Sequence, residues 1–196
     1  MKHVIFAGVL AAALPLAAGA QVETYKVDPI HSFPHFGVDH FGVSTIWGRL
    51  EKMSGTFTID RAAKKGSVDL TIETSTVNTG DGERGARPRT RDENLKSADF
   101  FNVAEFPRMT YKSTNVKFAG DNPSEIEGQL TLLGVTKPVT IKIERWICRD
   151  NPMSKRPMCG GDASGSFKRS EFGMKTFVPA IGDEVKLKIN FEGYRE

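Results

Sequence analysis

Three of the four histidines stand close together, at His31, His35 and His40. Three imidazoles are a zinc-ligand set in principle. Their spacing argues against it: on an extended strand His35 and His40 differ by five positions and point to opposite faces. No Asp or Cys is obviously placed to complete a site, so no metal is expected. Nucleophilic chemistry has no better support. The chain holds no G-x-S-x-G, H-E-x-x-H, P-loop or G-x-G-x-x-G pattern. The glycine-rich run 160–165 reads as a loop turning into a strand at 166–169, with no helix behind it to hold a phosphate. The carboxylate pairs Asp92–Glu93 and Asp183–Glu184 lie in polar surroundings and read as caps and turn residues, not as an acid/base pair. The expectation is a binding protein without a catalytic residue or a cofactor.

Cys148 and Cys159 are the only cysteines. An even count at short separation reads as one disulfide closing a surface loop over residues 148–165. Such a loop gains about 3 kcal/mol in the chain-entropy model, and the bond needs an oxidising compartment. The N-terminus agrees. Lys2 and His3 precede an apolar run from Val4 to Ala18, and Ala18-Gly19-Ala20 offers small residues for cleavage. This describes a signal peptide over 1–20, with the domain at 21–196 and a periplasmic destination. The residue directly after Ala20 is Gln21 and not a cysteine, which argues against a lipoprotein. The net charge of +3 falls to +2 without Lys2. That is too small to suggest nucleic acid as a partner.

Residues that bind need elements that position them, and here the pattern is period two. Val68, Leu70 and Ile72 alternate with Asp69, Thr71 and Glu73. Val139, Ile141 and Ile143 alternate with Thr140, Lys142 and Glu144, and Val185, Leu187, Ile189 and Phe191 with polar neighbours. One wet face and one dry face per strand suit an antiparallel sheet. Less regular strands are expected at 32–41, 44–52, 56–60, 108–115 and 125–132, with turns at Lys65-Gly66, 120–123 and Leu133-Gly134. The fold class is all-β, a sandwich or a barrel. Thr90 and Glu93 form a T-x-x-E capping box, which predicts a short helix over about 91–98. Residues 80–88 before it should form a mobile loop.

The motifs resemble one family. Tyr25-Lys-Val-Asp28-Pro-Ile-His31-Ser32, Phe36-Gly-Val38-Asp-His40-Phe-Gly42-Val-Ser44 and Ser54-Gly55-Thr56-Phe57 come in order, followed by Thr74-Ser75-Thr76-Val77-Asn78-Thr79. Then come Arg91-Asp92-Glu93-Asn94-Leu95, Ser97-Ala98-Asp99-Phe100-Phe101, the segment from Gly128 to Val139, and Arg169-Ser-Glu171-Phe172-Gly173. Together they are similar to the YceI-like family of lipocalin-like, polyisoprenoid-binding bacterial proteins. The resemblance implies one eight-stranded antiparallel barrel with a short helix near one end, an interior just wide enough for one small ligand. It implies an isoprenoid or similar long-chain amphiphile as ligand, and a homodimer in several relatives. It also makes His31 and His40 structural hydrogen-bonding residues. The chain departs from the family pattern at Asn94, where His is usual, at Glu171, where Asp is usual, and in a longer, more basic loop over 81–90.

A hydrocarbon held through buried area gains about 0.8 kcal/mol per CH₂, so no polar motif is required. Thirteen phenylalanines supply apolar surface. Strand parity points Phe36, Val38, Ile46 and Leu50 inward, with Ile72, Leu130, Leu132, Ile141 and Ile143, and with Leu187 and Ile189. Phe167 joins them as a candidate ligand contact. The arginines Arg84, Arg87, Arg89 and Arg91 would meet an anionic head group or touch a membrane surface transiently. Two rivals remain: an enzyme acting on such a lipid through His31 or His40, and a structural barrel filled by its own side chains.

Overall fold

The computed structural model describes residues 22–196. The expected signal peptide lies outside the described residues. In chain order the elements are β1 (Glu23–Val27), β2 (Phe33–His40), β3 (Ser44–Leu50), β4 (Met53–Asp60), β5 (Lys65–Glu73) and β6 (Val77–Asn78). Helix α1 (Arg91–Lys96) follows, then β7 (Arg108–Ala119), β8 (Asn122–Leu132), β9 (Val135–Asp150), β10 (Pro157–Lys168) and β11 (Ile181–Arg195). Every pairing is antiparallel, and the ring β1-β4-β5-β7-β8-β9-β10-β11 closes through β1–β11 into an eight-stranded barrel. Closure leaves the ring without a free edge. Among the described residues no helix is long and apolar enough to cross a membrane.

Strand β11 spans the full height of the wall. It pairs with β2 from Ile181 to Asn190 and with β1 from Gly193 to Arg195. β1 and β2 are thus two halves of one wall strand, interrupted at 28–32. Side chains replace the missing ladder there. The Asp28 carboxylate accepts the Ile30 amide at 2.9 Å and His31 Nδ1–H at 2.7 Å. Ser32, fully buried, accepts the Glu192 amide and donates to its carbonyl through one hydroxyl. β3 and β4 are similarly two halves, broken at 51–52. There Thr76 Oγ1 accepts the amides of Glu51 and Lys52 at 3.0 and 3.2 Å and donates to the Glu73 carbonyl at 2.7 Å. These bonds keep the backbone satisfied at both kinks.

The regular alternation forms strand walls as the sequence predicts. The β8–β9 turn is Leu133-Gly134, with φ of 51° and 74°. A two-residue hairpin with both φ positive matches the natural twist of its strands. The capping box is present, with Thr90 and Glu93 each satisfying the other's backbone amide.

Three expectations need correction. Lys65 and Gly66 open β5 instead of turning, because the β4–β5 turn lies at 61–64. Residues 148–165 are not one long loop: β9 runs to Asp150, β10 starts at Pro157, and Cys148 faces Cys159 across the ladder in a disulfide. Cys159 is fully buried at the end of the barrel, and the bond staples the β9–β10 hairpin, so the surface loop it closes is only the exposed tip at 151–156. The run 160–165 is the middle of β10. A Cβ on Gly161 would lie 1.8 Å from the Arg145 carbonyl oxygen, so only glycine lets the two strands meet, beside a bulge at Asp162/Ala163. Glycine density signals close strand approach here, not a loop.

Candidate ligand channel

The inward faces of the strands do not meet at the barrel axis. They leave two adjoining apolar chambers, of about 260 Å³ towards α1 and about 120 Å³ below it. Pro34, Met109, Phe167 and Leu187 line both and form a collar between them. Small-ligand sites run to roughly 300–1,000 Å³, so the two chambers together are of ligand size.

All twelve residues singled out from the sequence lie on these walls. Phe36 and Val38 on β2, Ile46 and Leu50 on β3, and Leu132 on β8 line the upper chamber. Ile72, Leu130, Ile141, Ile143 and Ile189 line the lower one. Phe167 and Leu187 sit in the collar. Parity carried over because β5 pairs without a register shift and the one shift between β9 and β10 leaves Glu144 of β9 unpaired, just beyond Ile143, so Ile141 and Ile143 keep their inward side.

The two ends differ. Below the lower chamber Tyr25 stacks on Phe57 at 5.0 Å, and Phe57 meets Trp146 and Phe191 edge-on at 5.7 and 6.1 Å. The disulfide lies beyond them, with Arg61 Nη2 at 3.1 Å from Cys148 Sγ. Arg61 and Arg195 both pair with Glu23, at 3.7 and 3.3 Å. Chain packing seals this end. The Trp146 indole N–H is buried there without an acceptor among the described residues, a cost the plug carries.

The upper end is the mouth. Arg91, Asn94 and Leu95 of α1 line it, with Thr79, Asp39 and His40. The loop after β10 completes the rim through Phe177, which is 62 % exposed. Arg169 holds that loop. It is 2 % exposed, yet it donates to the carbonyls of Gly182, Met174, Thr176 and Ile181 at 2.8–3.2 Å. Burial pushes its guanidinium below the ordinary value, with Asp183 acting in the other direction. Asp183 in turn accepts the Ser170 amide and hydroxyl.

The carboxylate pairs behave as caps. Asp92 accepts the amide and hydroxyl of Thr79, and Glu93 closes the capping box. Half of the basic loop is neutralised locally, Arg87 by Asp81 and Arg84 by Glu93. Asp81 is held well below the usual carboxylate range by Arg87 and then by the Arg91 amide.

The histidines part company. His35 faces out and meets Asn190 Oδ1 at 3.2 Å. His31 is on the outer surface, where Asp28 and Glu192 place ligand atoms within 4.8 Å of it and of one another. Asp28 is local to His31, but Glu192 is remote in the chain and arrives on β11 opposite the break between β1 and β2, so spacing alone does not reveal the cluster. His31 does not line either chamber, so it has no access to a lipid held inside. His40 lines the mouth but its ring packs edge-on against Phe41 at 4.3 Å with no hydrogen bond to an acid or base among the described residues.

The YceI-like domain family model matches residues 25–193. Protein YceI of Escherichia coli is 38% identical over 195 residues, 96% of each chain. Protein YceI of Salmonella arizonae is 36% identical over the full length of both chains. Among solved structures, BcnA of Burkholderia cenocepacia superposes with a TM-score of 0.70 at 23% identity, covering 85% of this chain and 98% of its own. A polyisoprenoid binding domain from Saccharophagus degradans, implicated in plant cell wall breakdown, gives 0.62 at 17% identity, covering 88% and 98%. At those identities the structures share the fold alone. The match to the domain family spans nearly all the described residues, and the chain belongs to the YceI-like domain family.

Proposed function

We propose that this protein binds a polyisoprenoid or similar long-chain amphiphile, tail inward, and carries or sequesters it in the periplasm without a chemical step. The observation that carries this is the pair of adjoining apolar chambers, closed below by an aromatic plug and open beside α1. The Saccharophagus degradans neighbour, named as a polyisoprenoid binding domain, supports the ligand class. An enzymatic reading has one histidine left at the mouth, His40, whose ring packs on Phe41 and makes no hydrogen bond among the described residues. The exposed rim residues Phe41, Val43 and Phe177 suit brief contact with a membrane surface during loading. Cleavage after Ala20 and a homodimer belong to the same proposal.

The test is native mass spectrometry of protein purified from the periplasm, followed by organic extraction. The expected result is a chain beginning at Gln21 with a stoichiometric prenyl or acyl lipid. An apo mass that stays unchanged after incubation with prenyl quinones, prenyl phosphates and fatty acids would remove the carrier reading in favour of an empty or structural barrel.

A further inference from the structure

Most polar groups on the upper chamber are already occupied. Arg169 donates to four carbonyls, Asp39 accepts the Gly42 amide at 2.8 Å, and Thr79 donates to Asp92 at 2.6 Å. Three are not. Arg91 has one long contact, from Nη1 to Thr79 Oγ1 at 3.3 Å, and no carboxylate within 4.0 Å among the described residues. The side-chain amide of Asn94 and the ring of His40 make no hydrogen bond among the described residues. All three line one opening above an otherwise apolar chamber. Arg84 and Arg87, in the neighbouring loop, are paired with Glu93 and Asp81 and point their charge there. Asp81 acts on the Arg91 guanidinium only from a distance, its own contact being with Arg87, and a guanidinium with no carboxylate in contact at the lip of a hydrocarbon pocket is a donor set for anionic oxygen.

We infer that the mouth selects an amphiphile with an oxyanion head, of the prenyl phosphate kind, which Arg91 holds through charge-assisted hydrogen bonds. Asn94 adds a neutral donor, and His40 borders the head from the β2 side. This rests on the carrier reading and adds the class of head group to it.

The probes are geranylgeranyl phosphate and geranylgeraniol, which share a tail and differ in the head. Their affinities are measured by calorimetry at low ionic strength for the wild-type protein, Arg91→Gln, and Arg84→Gln as a neighbouring arginine control. The phosphate should bind at least about tenfold more tightly than the alcohol to the wild-type protein and to Arg84→Gln. In Arg91→Gln that advantage should collapse to under about threefold, with alcohol affinity unchanged. Equal binding of phosphate and alcohol by the wild-type protein overturns the head-group assignment and leaves the carrier reading standing. So does a phosphate advantage that survives intact in Arg91→Gln. Failure of both probes to bind the wild-type protein overturns the carrier reading and this inference together. A thermal melt of Arg91→Gln within a few degrees of wild type keeps the comparison valid, and is expected because the Arg91 amide, not its side chain, bonds Asp81.

Discussion

Filling the lower chamber should shorten the tail the barrel can hold. Ala163 on β10 is 5 % exposed, faces that chamber, and pairs with Ile143 and Ile189, which line it too. Ala163→Leu adds three carbon atoms to a space of about 120 Å³. The cost to stability should stay below the ~1–3 kcal/mol of overpacking a filled core, because the atoms enter a void. The cost to binding is larger. One isoprene unit has five carbons, worth roughly 4 kcal/mol at ~0.8 kcal/mol per buried CH₂. Ordering that unit returns about half, leaving ~2 kcal/mol, or about 30-fold in Kd. The assay is a series of Kd values for geraniol, farnesol and geranylgeraniol on both proteins. Wild-type affinity should rise along the series, and in Ala163→Leu the gain from the last unit should disappear. Two curves that run parallel, or coincide, would refute the claim that a tail passes the collar into the lower chamber.

Replacing Cys148 and Cys159 together by Ser, or reducing the bond, should cost about 3 kcal/mol for a closed loop of this size, read as a lower urea midpoint. Arg169→Met should cost about 3 kcal/mol or more, since it leaves four carbonyls of the rim loop without their donor; hydrogen exchange of residues 173–182 should accelerate while the strands stay protected. His31 is raised above its ordinary value by the Asp28 hydrogen bond and charge, while Asp28 is lowered overall: burial raises it, but His31 and the Ile30 amide outweigh that. The His31 contribution to stability is therefore fully present below pH ~6.5 and fades as pH rises through its folded value, and that of Asp28 fades only as pH falls well below 4. With His31 largely exposed the effect is small; a Tm profile from pH 5 to 9 that Asp28→Asn leaves unchanged in slope would contradict it.

The walls were legible from sequence because a closed antiparallel barrel writes its inside and outside into alternate residues. Val139, Ile141 and Ile143 needed no structure to be placed inward. The interruptions were not legible. Residues 28–32 and 51–52 break two strands, yet hydroxyls mend them: Ser32 bonds Glu192 of β11, and Thr76 reaches the amides of Glu51 and Lys52 from the turn before β6. Such partners are set by register, which local pattern does not report. β10 was read as a loop for a related reason. Its glycines are there because Arg145 and Phe191 backbones approach closely on either side, a tertiary fact with the local appearance of flexibility. The mouth was half visible. Arg91 stood out as one of four loop arginines, but only the structure separates it from Arg84 and Arg87, which spend their charge on neighbouring carboxylates. Met109 and Trp146 carried no pattern marking them as wall residues.

The difference between the two ends fixes how a tail can enter. The lower end is covered by stacked rings, a disulfide and two arginines on Glu23, with Val27 and Cys159 4 % and 0 % exposed. Opening it would expose that aromatic area at about 25 cal/mol per Å² and break ladder bonds of β1, β10 and β11. Among the described residues the upper end has no such cover. Phe41 and Phe177 are each 62 % exposed and hold φ of 58° and 62°. A bulky side chain in the left-handed region costs on the order of 1 kcal/mol, so the fold keeps two rings outward at its own expense. Those residues anchor one another's loops: the Phe41 amide donates to the Ala180 carbonyl and the Ile181 amide to that of Phe177. Moving this rim disturbs two loops and no barrel strand pairing below it, whereas moving the plug disturbs the closure of the ring. A hydrocarbon tail therefore has one low-cost route, past α1 and the phenylalanine rim. For the long-chain amphiphile we propose, this means entry tail first, with the head beside Arg91.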